Sequence, residues 1–310
     1  MSLSFERDFF MALNLKTFTT RALTAIVFVA VLLSCIIFNY VSFAALFFVV
    51  SVWGLYEFYQ LAEKLGSKPY KTIGLVSGAL LFGFSAISNT IYGPGINQYF
   101  PLILAISFLI FIAGLLDKNP NTVLNVAYTL MGLIYAVVPF MLLTNISCLR
   151  GAYNFSHEFS SGNYVYEEAH WYTDLAPYNF HYVLGIILLI WASDTGAYLV
   201  GSFIGKNKLY ERISPGKTWE GSIGAAILNI GCAYVISLWF PELALVHWIA
   251  ISILVSVFGT LGDLVESMLK RQAGVKDSGK IMPGHGGILD RFDSLLFVSP
   301  FVYAYLQTAL

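Results

Sequence analysis

The sequence predicts an all-α membrane protein, a polytopic bundle of about nine transmembrane helices with a cytoplasmic N-terminus. Hydrophobic residues make up 57% of the 310 residues, and charged residues make up only 11%. The mean hydropathy is +0.72, which lies above the range of soluble globular proteins. Because one crossing needs about 20 apolar residues, the chain has room for roughly nine or ten crossings and little else.

Apolar runs give the approximate bounds of the predicted helices. They lie at 22–40, 41–62, 73–92, 99–116, 122–147, 182–203, 219–240, 244–264 and 291–309. The first two runs leave space only for a minimal turn at Asn39-Tyr40. No small-residue cleavage site follows the first run, so we interpret it as a retained helix rather than a signal peptide.

The distribution of positive charge supports the same topology. With the N-terminus inside, the inner segments are 1–21, 63–72, 117–121, 204–218 and 265–290. Every Lys and Arg lies in or at the edge of these segments except Arg150. Cytoplasmic loops of membrane proteins carry such an excess of Lys and Arg, so the span count and the orientation support each other.

Polar residues divide the chain into three parts. Residues 1–150 hold five helices that are nearly free of charge, and we expect them to form a scaffold. Residues 151–181 are predicted to be an extracytoplasmic loop resting at the outer interface, because they hold five Tyr and one Trp. Residues 182–310 carry most of the polar chemistry and are predicted to be the catalytic region.

Acidic residues flank the last polar loop. Asp263, Ser267 and Lys270 share one helix face by spacing, and Asp290 and Asp293 open the next helix. Consecutive helices are antiparallel, so Asp263 and Asp290 should face each other, and two close carboxylates repel unless a cation lies between them. We therefore predict that both are catalytic ligands of Mg²⁺, with a second cation left open. The alternative is a set of helix-end charges that extend to the membrane interface.

The loop between these acids is rich in glycine and in cations. Pro283-Gly284-His285-Gly286-Gly287 offers backbone N–H groups for an anion, and His285 is a candidate catalytic residue. A single histidine is more often structural, but its glycine and basic neighbours favour a functional role here. Lys270 and Arg271 are further catalytic candidates. The substrate-binding candidates in this region are Ser267, Lys276, Gly286, Gly287 and Arg291.

A second polar cluster precedes the seventh predicted helix. Ser214 before Pro215 predicts a helix N-terminus with free N–H groups for a phosphate. A P-loop is excluded, because Glu211 stands where that motif needs glycine and no strand is predicted before it. Ser214, Lys217 and Thr218 remain candidates for binding substrate phosphate. Flanking positive charge that only sets topology is the alternative.

Two acids lie inside predicted spans. Asp194 is a candidate substrate-binding residue, because an ionisable residue at membrane depth is costly unless it has a function. Glu57 could instead extend to the interface or bond a neighbouring helix, and we leave it out of the predicted site.

The run from Ser267 to Asp293 resembles the signature of the phosphatidate cytidylyltransferases, or CDP-diacylglycerol synthases. Lys270-Arg271, Lys276-Asp277, His285-Gly286-Gly287 and Asp290-Arg291-Phe292-Asp293 have that signature's spacings, with Met282 as a mild departure. The segments 214–218 and 194–198 are similar to the family's other polar motifs. The resemblance is strong in the C-terminal half and generic in the N-terminal half.

The resemblance implies a nucleotidyltransferase that converts CTP and phosphatidic acid into CDP-diacylglycerol and pyrophosphate in phospholipid biosynthesis. It further implies Mg²⁺, a homodimer in the bacterial inner membrane, a site facing the cytoplasm and no nucleic-acid partner. A CTP-dependent polyprenol or phytol kinase is the nearest alternative. A cation transporter that uses Asp194, Glu57 and Asp263 is an alternative from another class.

Overall fold

The computed structural model describes residues 15–92, 100–149, 178–281 and 286–310. In these ranges the chain forms nine helices, when each π-helical segment is counted with the helix that contains it, and one β-hairpin. The elements are α1 Leu15–Phe38, α2 Tyr40–Lys64, α3 Lys71–Tyr92, α4 Phe100–Leu116, α5 Thr122–Ile146, α6 Phe180–Ile204, β1 Lys208–Tyr210, β2 Ser214–Thr218, α7 Trp219–Trp239, α8 Leu245–Gln272 and α9 Leu289–Ala309.

Six of these helices, α2, α3, α5, α6, α7 and α8, are long and apolar enough to cross a membrane. The apolar stretches of α1 and α4 are shorter, Ala22–Phe38 and Pro101–Leu116. The prediction of a helical membrane protein is confirmed, whereas nine spans and their orientation stay predictions. The predicted loop 151–181 lies almost wholly outside the described residues.

A single non-helical residue separates α1 from α2. Asn39 has an extended backbone, with φ −168° and ψ 172°, and its Oδ1 accepts a hydrogen bond from the Ser42 N–H at 2.8 Å. The Ser42 Oγ in turn accepts the Asn39 N–H at 3.3 Å, which completes a capping box. The minimal turn predicted at Asn39-Tyr40 therefore consists of one residue, Asn39, which caps the N-terminus of α2.

The β-hairpin contradicts the all-helical prediction locally. Strands β1 and β2 pair antiparallel, with Lys208 opposite Thr218 and Tyr210 opposite Ser214. Ser214 opens a strand rather than a helix, and a strand does precede the Gly-Lys-Thr sequence. Runs of three and five residues are too short to give a periodic signal, so the sequence did not reveal them.

The seventh helix begins four residues later than the predicted Pro215 start. Its N-cap is Thr218, whose Oγ1 accepts the N–H of Gly221 at 3.2 Å, and its first residue is Trp219. Threonine is a good N-cap, and proline is tolerated in a two-stranded ribbon where its missing N–H is not required. Both the predicted start at Pro215 and the observed start at Trp219 thus satisfy the sequence preferences of a helix N-terminus. The observed start is the later one because Ser214–Thr218 forms a strand of the hairpin.

Two of the long helices contain a π-helical turn. These segments are Leu133–Val137 in α5 and Val255–Gly259 in α8. The Gly259 carbonyl at the end of the second segment accepts a hydrogen bond from Ser294 Oγ of α9 at 3.3 Å. The next carbonyl, that of Thr260, accepts one from Lys217 Nζ of the hairpin at 3.4 Å. The π-turn of α8 is therefore a junction between three elements of the C-terminal half.

Aromatic packing fixes the first turn of α9 against the N-terminal helices. The Phe292 ring lies 5.8 Å from Phe28 of α1, 6.0 Å from Phe47 of α2 and 5.6 Å from Phe140 of α5, between ring centroids. Phe292, Phe47 and Phe140 are buried. Each such pair contributes about 0.5–1.5 kcal/mol beyond area burial, so the helix that carries Asp290 is anchored to the predicted scaffold.

The polar connections gather at one end of the bundle. Tyr70, before α3, donates a hydrogen bond to Asp117, after α4, at 2.8 Å. The Lys68 N–H binds Asn125 Oδ1 near the start of α5 at 2.7 Å. The start of α9, the end of α8 and the hairpin meet at the same end, as the contacts below show.

Candidate active site

A cavity of about 360 Å³ lies between α1, α6, α8 and the first turn of α9. Four carboxylates line it: Asp194, Asp263, Asp290 and Asp293. Apolar side chains line the rest, among them Phe28, Leu32, Ile187 and Ile190. An acidic end and an apolar wall thus share one cavity, and three of the acids are predicted site residues.

Asp263 is held by a lysine from the hairpin. Lys217 Nζ lies 2.5 Å from Asp263 Oδ2, and Ser267 Oγ donates to Asp263 Oδ1 at 3.2 Å. The predicted pairing of Asp263 with Ser267 on one helix face is confirmed. Lys217, predicted to lie at a helix N-terminus, instead extends from β2 to the edge of the acidic cavity.

Lys270 lies between two buried acids. It forms an ion pair with Glu266, four residues earlier on α8, and lies 2.6 Å from Asp290 Oδ1. The exposed fractions of the three side chains are 14% for Lys270, 1% for Glu266 and 6% for Asp290. Lys270 shares a face with Asp263 by spacing, but its amine is engaged by other carboxylates. Glu266 was not among the predicted site residues, although its i,i+4 spacing to Lys270 is a recognisable signal.

Asp290 is the most heavily hydrogen-bonded acid of the site. Its Oδ2 accepts the Ser278 N–H at 2.8 Å, the Ser278 hydroxyl at 2.9 Å and the Gly287 N–H at 2.7 Å, while its Oδ1 binds Lys270. Asp263 and Asp290 therefore line one cavity, but each is paired with its own lysine. Among the described residues no group of three or more acids, histidines or cysteines is arranged to hold a metal ion.

The donor chemistry of the cavity still suits a hard cation. Mg²⁺ prefers oxygen ligands and takes one or two protein carboxylates, and four aspartates line this cavity. Asp293 Oδ1 accepts the Ser294 N–H at 2.6 Å, and Asp194 approaches from α6. Joint metal binding by Asp263 and Asp290 stays a prediction.

The glycine-rich loop is described from Gly286 onward, and the predicted catalytic residue His285 lies outside the described residues. Gly286 has φ +83°, a left-handed conformation that favours glycine. The Gly287 N–H points at Asp290 rather than into an open anion site. In the described part of the loop, the expected anion nest is filled by the protein's own carboxylate.

The other predicted site residues are dispersed. Arg291 lines the acidic cavity. Lys276 is exposed and lines a second cavity of about 730 Å³, together with Lys64 and Lys280. Arg271 is exposed on the last turn of α8, and Thr218 uses its hydroxyl as a helix cap. Neither Ser214 nor Thr218 lines the acidic cavity.

Glu57 was left out of the predicted site, and of the two alternatives given for it the structure shows the one in which it bonds a neighbouring helix. Its Oε1 accepts the Ile288 N–H at 3.0 Å, and its Oε2 accepts the Leu289 N–H at 3.0 Å and the Ser278 hydroxyl at 3.1 Å. Glu57 thus contacts the start of α9 and the loop residue Ser278, both of which adjoin Asp290. An acid inside a predicted span was a signal for it, but its partners are 221 to 232 residues away in sequence.

Comparison with known proteins decides the family. Residues 19–309 match the Cytidylyltransferase family, which is nearly the whole chain. The chain belongs to that family. A Bacillus subtilis relative, named phosphatidate cytidylyltransferase, is 34% identical over 290 residues, covering 92% of this chain and 96% of the relative.

Two relatives from Staphylococcus saprophyticus and Staphylococcus haemolyticus carry the same name. They are 39% and 40% identical over 200 residues, and the matched part is 64% of this chain and 65% of each relative. The chain thus spans just under two thirds of the length of these relatives. The resemblance stated from the sequence is confirmed.

The family match includes the N-terminal helices of this cytidylyltransferase, for which the sequence resemblance was only generic. The structure gives those helices specific roles at the site. Phe28 of α1 lines the acidic cavity, and Glu57 of α2 binds the loop and helix that carry Asp290. Side chains of α1 and α2, two of the predicted scaffold helices, thus lie at the cavity or next to it, and the division into a scaffold and a catalytic region stays a prediction.

Proposed function

We propose that this cytidylyltransferase transfers CMP from CTP to phosphatidic acid, giving CDP-diacylglycerol and pyrophosphate. The observation that carries the proposal is the cavity whose acidic end adjoins an apolar wall. A lipid phosphate needs both environments, because its head group is anionic and its acyl chains are apolar. The B. subtilis relative, matched over 92% of this chain, supports the same assignment.

The proposed reaction needs no general base. The second pKa of a phosphate monoester is about 6, so phosphatidic acid is largely dianionic at neutral pH. One of its oxygens attacks the α-phosphorus of CTP, the bond from that phosphorus to the α,β-bridging oxygen breaks, and pyrophosphate leaves with the electron pair. The main obstacle is repulsion between two anions, which Lys217 and Arg291 at the cavity can reduce.

We propose Mg²⁺ as the cofactor, with Asp263 and Asp290 as its first candidate ligands and a second cation left open. A bound magnesium ion would neutralise charge on the departing pyrophosphate. Asp290 is already bonded through both oxygens, so Asp194 and Asp293 are the further carboxylates that could complete the set. Lys217, next to Asp263, is placed to bind a substrate phosphate oxygen.

The placement in the membrane follows from the same proposal. Nine spans with the N-terminus and the basic loops in the cytoplasm would bring CTP to the polar end from the cytosol. Loop 151–181 would be extracytoplasmic. Phosphatidic acid would keep its chains in the bilayer beside α1, whose side chains form part of the apolar wall. We expect a homodimer in the bacterial inner membrane.

A labelled-nucleotide assay tests the function. Purified protein with phosphatidic acid and Mg²⁺ should move label from the α-phosphate of CTP into lipid and release the γ-label as pyrophosphate. Diacylglycerol in place of phosphatidic acid should give no product, and chelation should stop turnover until Mg²⁺ is restored. Transfer of the γ-label to a lipid alcohol, with CDP as product, would instead identify a kinase. Ion flux in liposomes without nucleotide would indicate a transporter.

A further inference from the structure

We infer that Glu57 is a positioning residue for the reaction: it fixes the start of α9, and with it Asp290 and Asp293, relative to α8. This inference rests on the proposed function for its kinetic consequence. Glu57 itself does not line the acidic cavity. It acts on that cavity through the backbone of α9 and through Ser278.

The contacts of Glu57 are those of a helix cap supplied by a distant helix. The first N–H groups of a helix lack intrahelical partners, and the N-cap of α9, Ile288, has no side-chain hydrogen bond to offer. Glu57 accepts the N–H groups of Ile288 and Leu289, one on each carboxylate oxygen, both at 3.0 Å. This contact through both carboxylate oxygens fixes the position of the first turn of α9 along the helix axis and its rotation about that axis.

The carboxyl group of Glu57 is matched to this position by the donors around it. Its side chain is only 2% exposed, and no lysine or arginine within the described ranges forms an ion pair with it. The positive end of the α9 dipole and two backbone N–H donors surround the carboxylate instead, together with the Ser278 hydroxyl, whose single proton is shared with Asp290. An amide at this position could accept through one oxygen only and would turn its NH₂ group toward a donor.

Ser278 connects Glu57 to Asp290. Its hydroxyl lies 3.1 Å from Glu57 Oε2 and 2.9 Å from Asp290 Oδ2, and its N–H donates to the same Asp290 oxygen at 2.8 Å. The orientation of Asp290 is therefore determined from two sides. One side is the helix that Glu57 caps, and the other is the serine that Glu57 binds.

Two glycines show that the surrounding backbone is built around this carboxylate. A Cβ atom placed on Gly279 would collide with Glu57 Oε1, and one placed on Gly287 would collide with Glu57 Oε2 and the Ser278 hydroxyl. The close approach of two loop backbones to one side chain explains why glycine stands at both positions. Gly287 is the second glycine of the His-Gly-Gly sequence. One residue of that sequence therefore leaves the space that the Glu57 carboxyl group occupies.

The kinetic test compares Glu57→Gln with Glu63→Gln. Glu63 lies on the same helix, but it is exposed and binds Lys71 at 2.7 Å. A misplacement of about 1 Å at a reacting group can lower turnover about 10²-fold. We therefore expect kcat per folded Glu57→Gln molecule to fall by about that factor, with KM for CTP and phosphatidic acid unchanged. Glu63→Gln should match the wild type.

Hydrogen–deuterium exchange of the peptide containing Ile288 and Leu289 provides a readout that needs no activity. Exchange should be faster in Glu57→Gln than in Glu63→Gln, because the glutamine side chain keeps one acceptor oxygen and one of the two backbone N–H groups loses its acceptor. A Glu57→Gln protein with a lower unfolding temperature but wild-type kcat would overturn the positioning role, as would unchanged exchange. If the wild type lacks activity, the proposed function fails, and the exchange data alone decide whether Glu57 holds α9.

A double substitution tests the steric argument. Gly279→Ala should impair the wild-type protein more than it impairs Glu57→Ala, because the added Cβ then no longer meets the Glu57 carboxylate and is close only to the Gly287 Cα at 3.1 Å. An equal loss from Gly279→Ala in the wild type and in Glu57→Ala would contradict the inference that the Glu57 side chain is the reason for glycine at position 279. If Glu57→Ala does not fold, Glu57→Gln supplies the decision through kinetics and exchange.

Discussion

Lys270 is the cation whose removal should affect this protein most, because it separates two buried acids. Its amine binds Glu266 and Asp290, whose side chains are 1% and 6% exposed. Lys270→Met keeps much of the side-chain length and removes the charge. Glu266 is then left without its ion-pair partner, while Asp290 keeps its hydrogen bonds from Ser278 and Gly287.

The expected loss follows from the burial of these groups. Removing one partner of a buried ion pair costs about 3–5 kcal/mol, because a charge remains buried without compensation. The unfolding entropy grows with chain length, and for 310 residues each kcal/mol lowers the unfolding midpoint by roughly 1.5 °C, so a decrease of roughly 5–8 °C is expected. Turnover should also fall, since Asp290 loses the contact to its Oδ1.

Thermal unfolding in detergent, with CTP turnover measured well below the midpoint, checks this prediction. Lys280→Met is the matched control, since Lys280 is exposed in the following loop, and its midpoint should not change. Adding Glu266→Gln to Lys270→Met should restore part of the loss, with a coupling energy of about 0.5–3 kcal/mol. A Lys270→Met protein as stable as the control would refute the reasoning that Lys270 neutralises a buried acid pair.

Three further predictions concern the site and its orientation. Lys217→Ala should lose activity with a raised KM, because Lys217 borders the acidic cavity beside Asp263. Lys208→Ala, in the same hairpin, should stay near wild type in steady-state kinetics. Equal loss of activity in both variants would be evidence against the assignment of Lys217 to substrate binding. Asp290→Asn should lower the rate at least about 10²-fold at ordinary Mg²⁺ concentrations, and near-normal turnover would exclude it as an essential ligand. Cysteines placed at Lys208 or Lys276 should resist impermeant reagents in intact cells, and external labelling of either would reverse the topology.

Helix positions were predictable from the sequence because apolar runs of membrane length are a strong signal. The predicted bounds of α4 and α5 agree with the structure to within one residue at each end. The end of α8 was placed at residue 264, eight residues early, because its last turns carry Asp263, Glu266 and Lys270. The polar end of a membrane helix has the same amino-acid composition as a loop when neighbouring elements cover it, so hydropathy alone ends such a helix too early.

The candidate site was only partly predictable, for a different physical reason. Asp263, Asp290 and Lys270 stand out by local spacing, so the sequence located them. Which lysine binds which acid depends on contacts between elements far apart in sequence. The Lys217–Asp263 pair needs a hairpin that has no periodic signal, and Glu57 meets Leu289 across 232 positions.

The π-turn of α8 changes how this helix should be compared with its relatives. A turn with one additional residue rotates everything after it by about 100° relative to an uninterrupted α-helix. Trp248, buried before the turn, and Glu266, buried after it, therefore belong to two different helical phases. An alignment with a relative whose helix lacks this turn requires a one-residue gap inside a membrane-spanning segment. A gap of that kind would normally be taken for an error, but here it would keep Asp263 aligned with the corresponding acid.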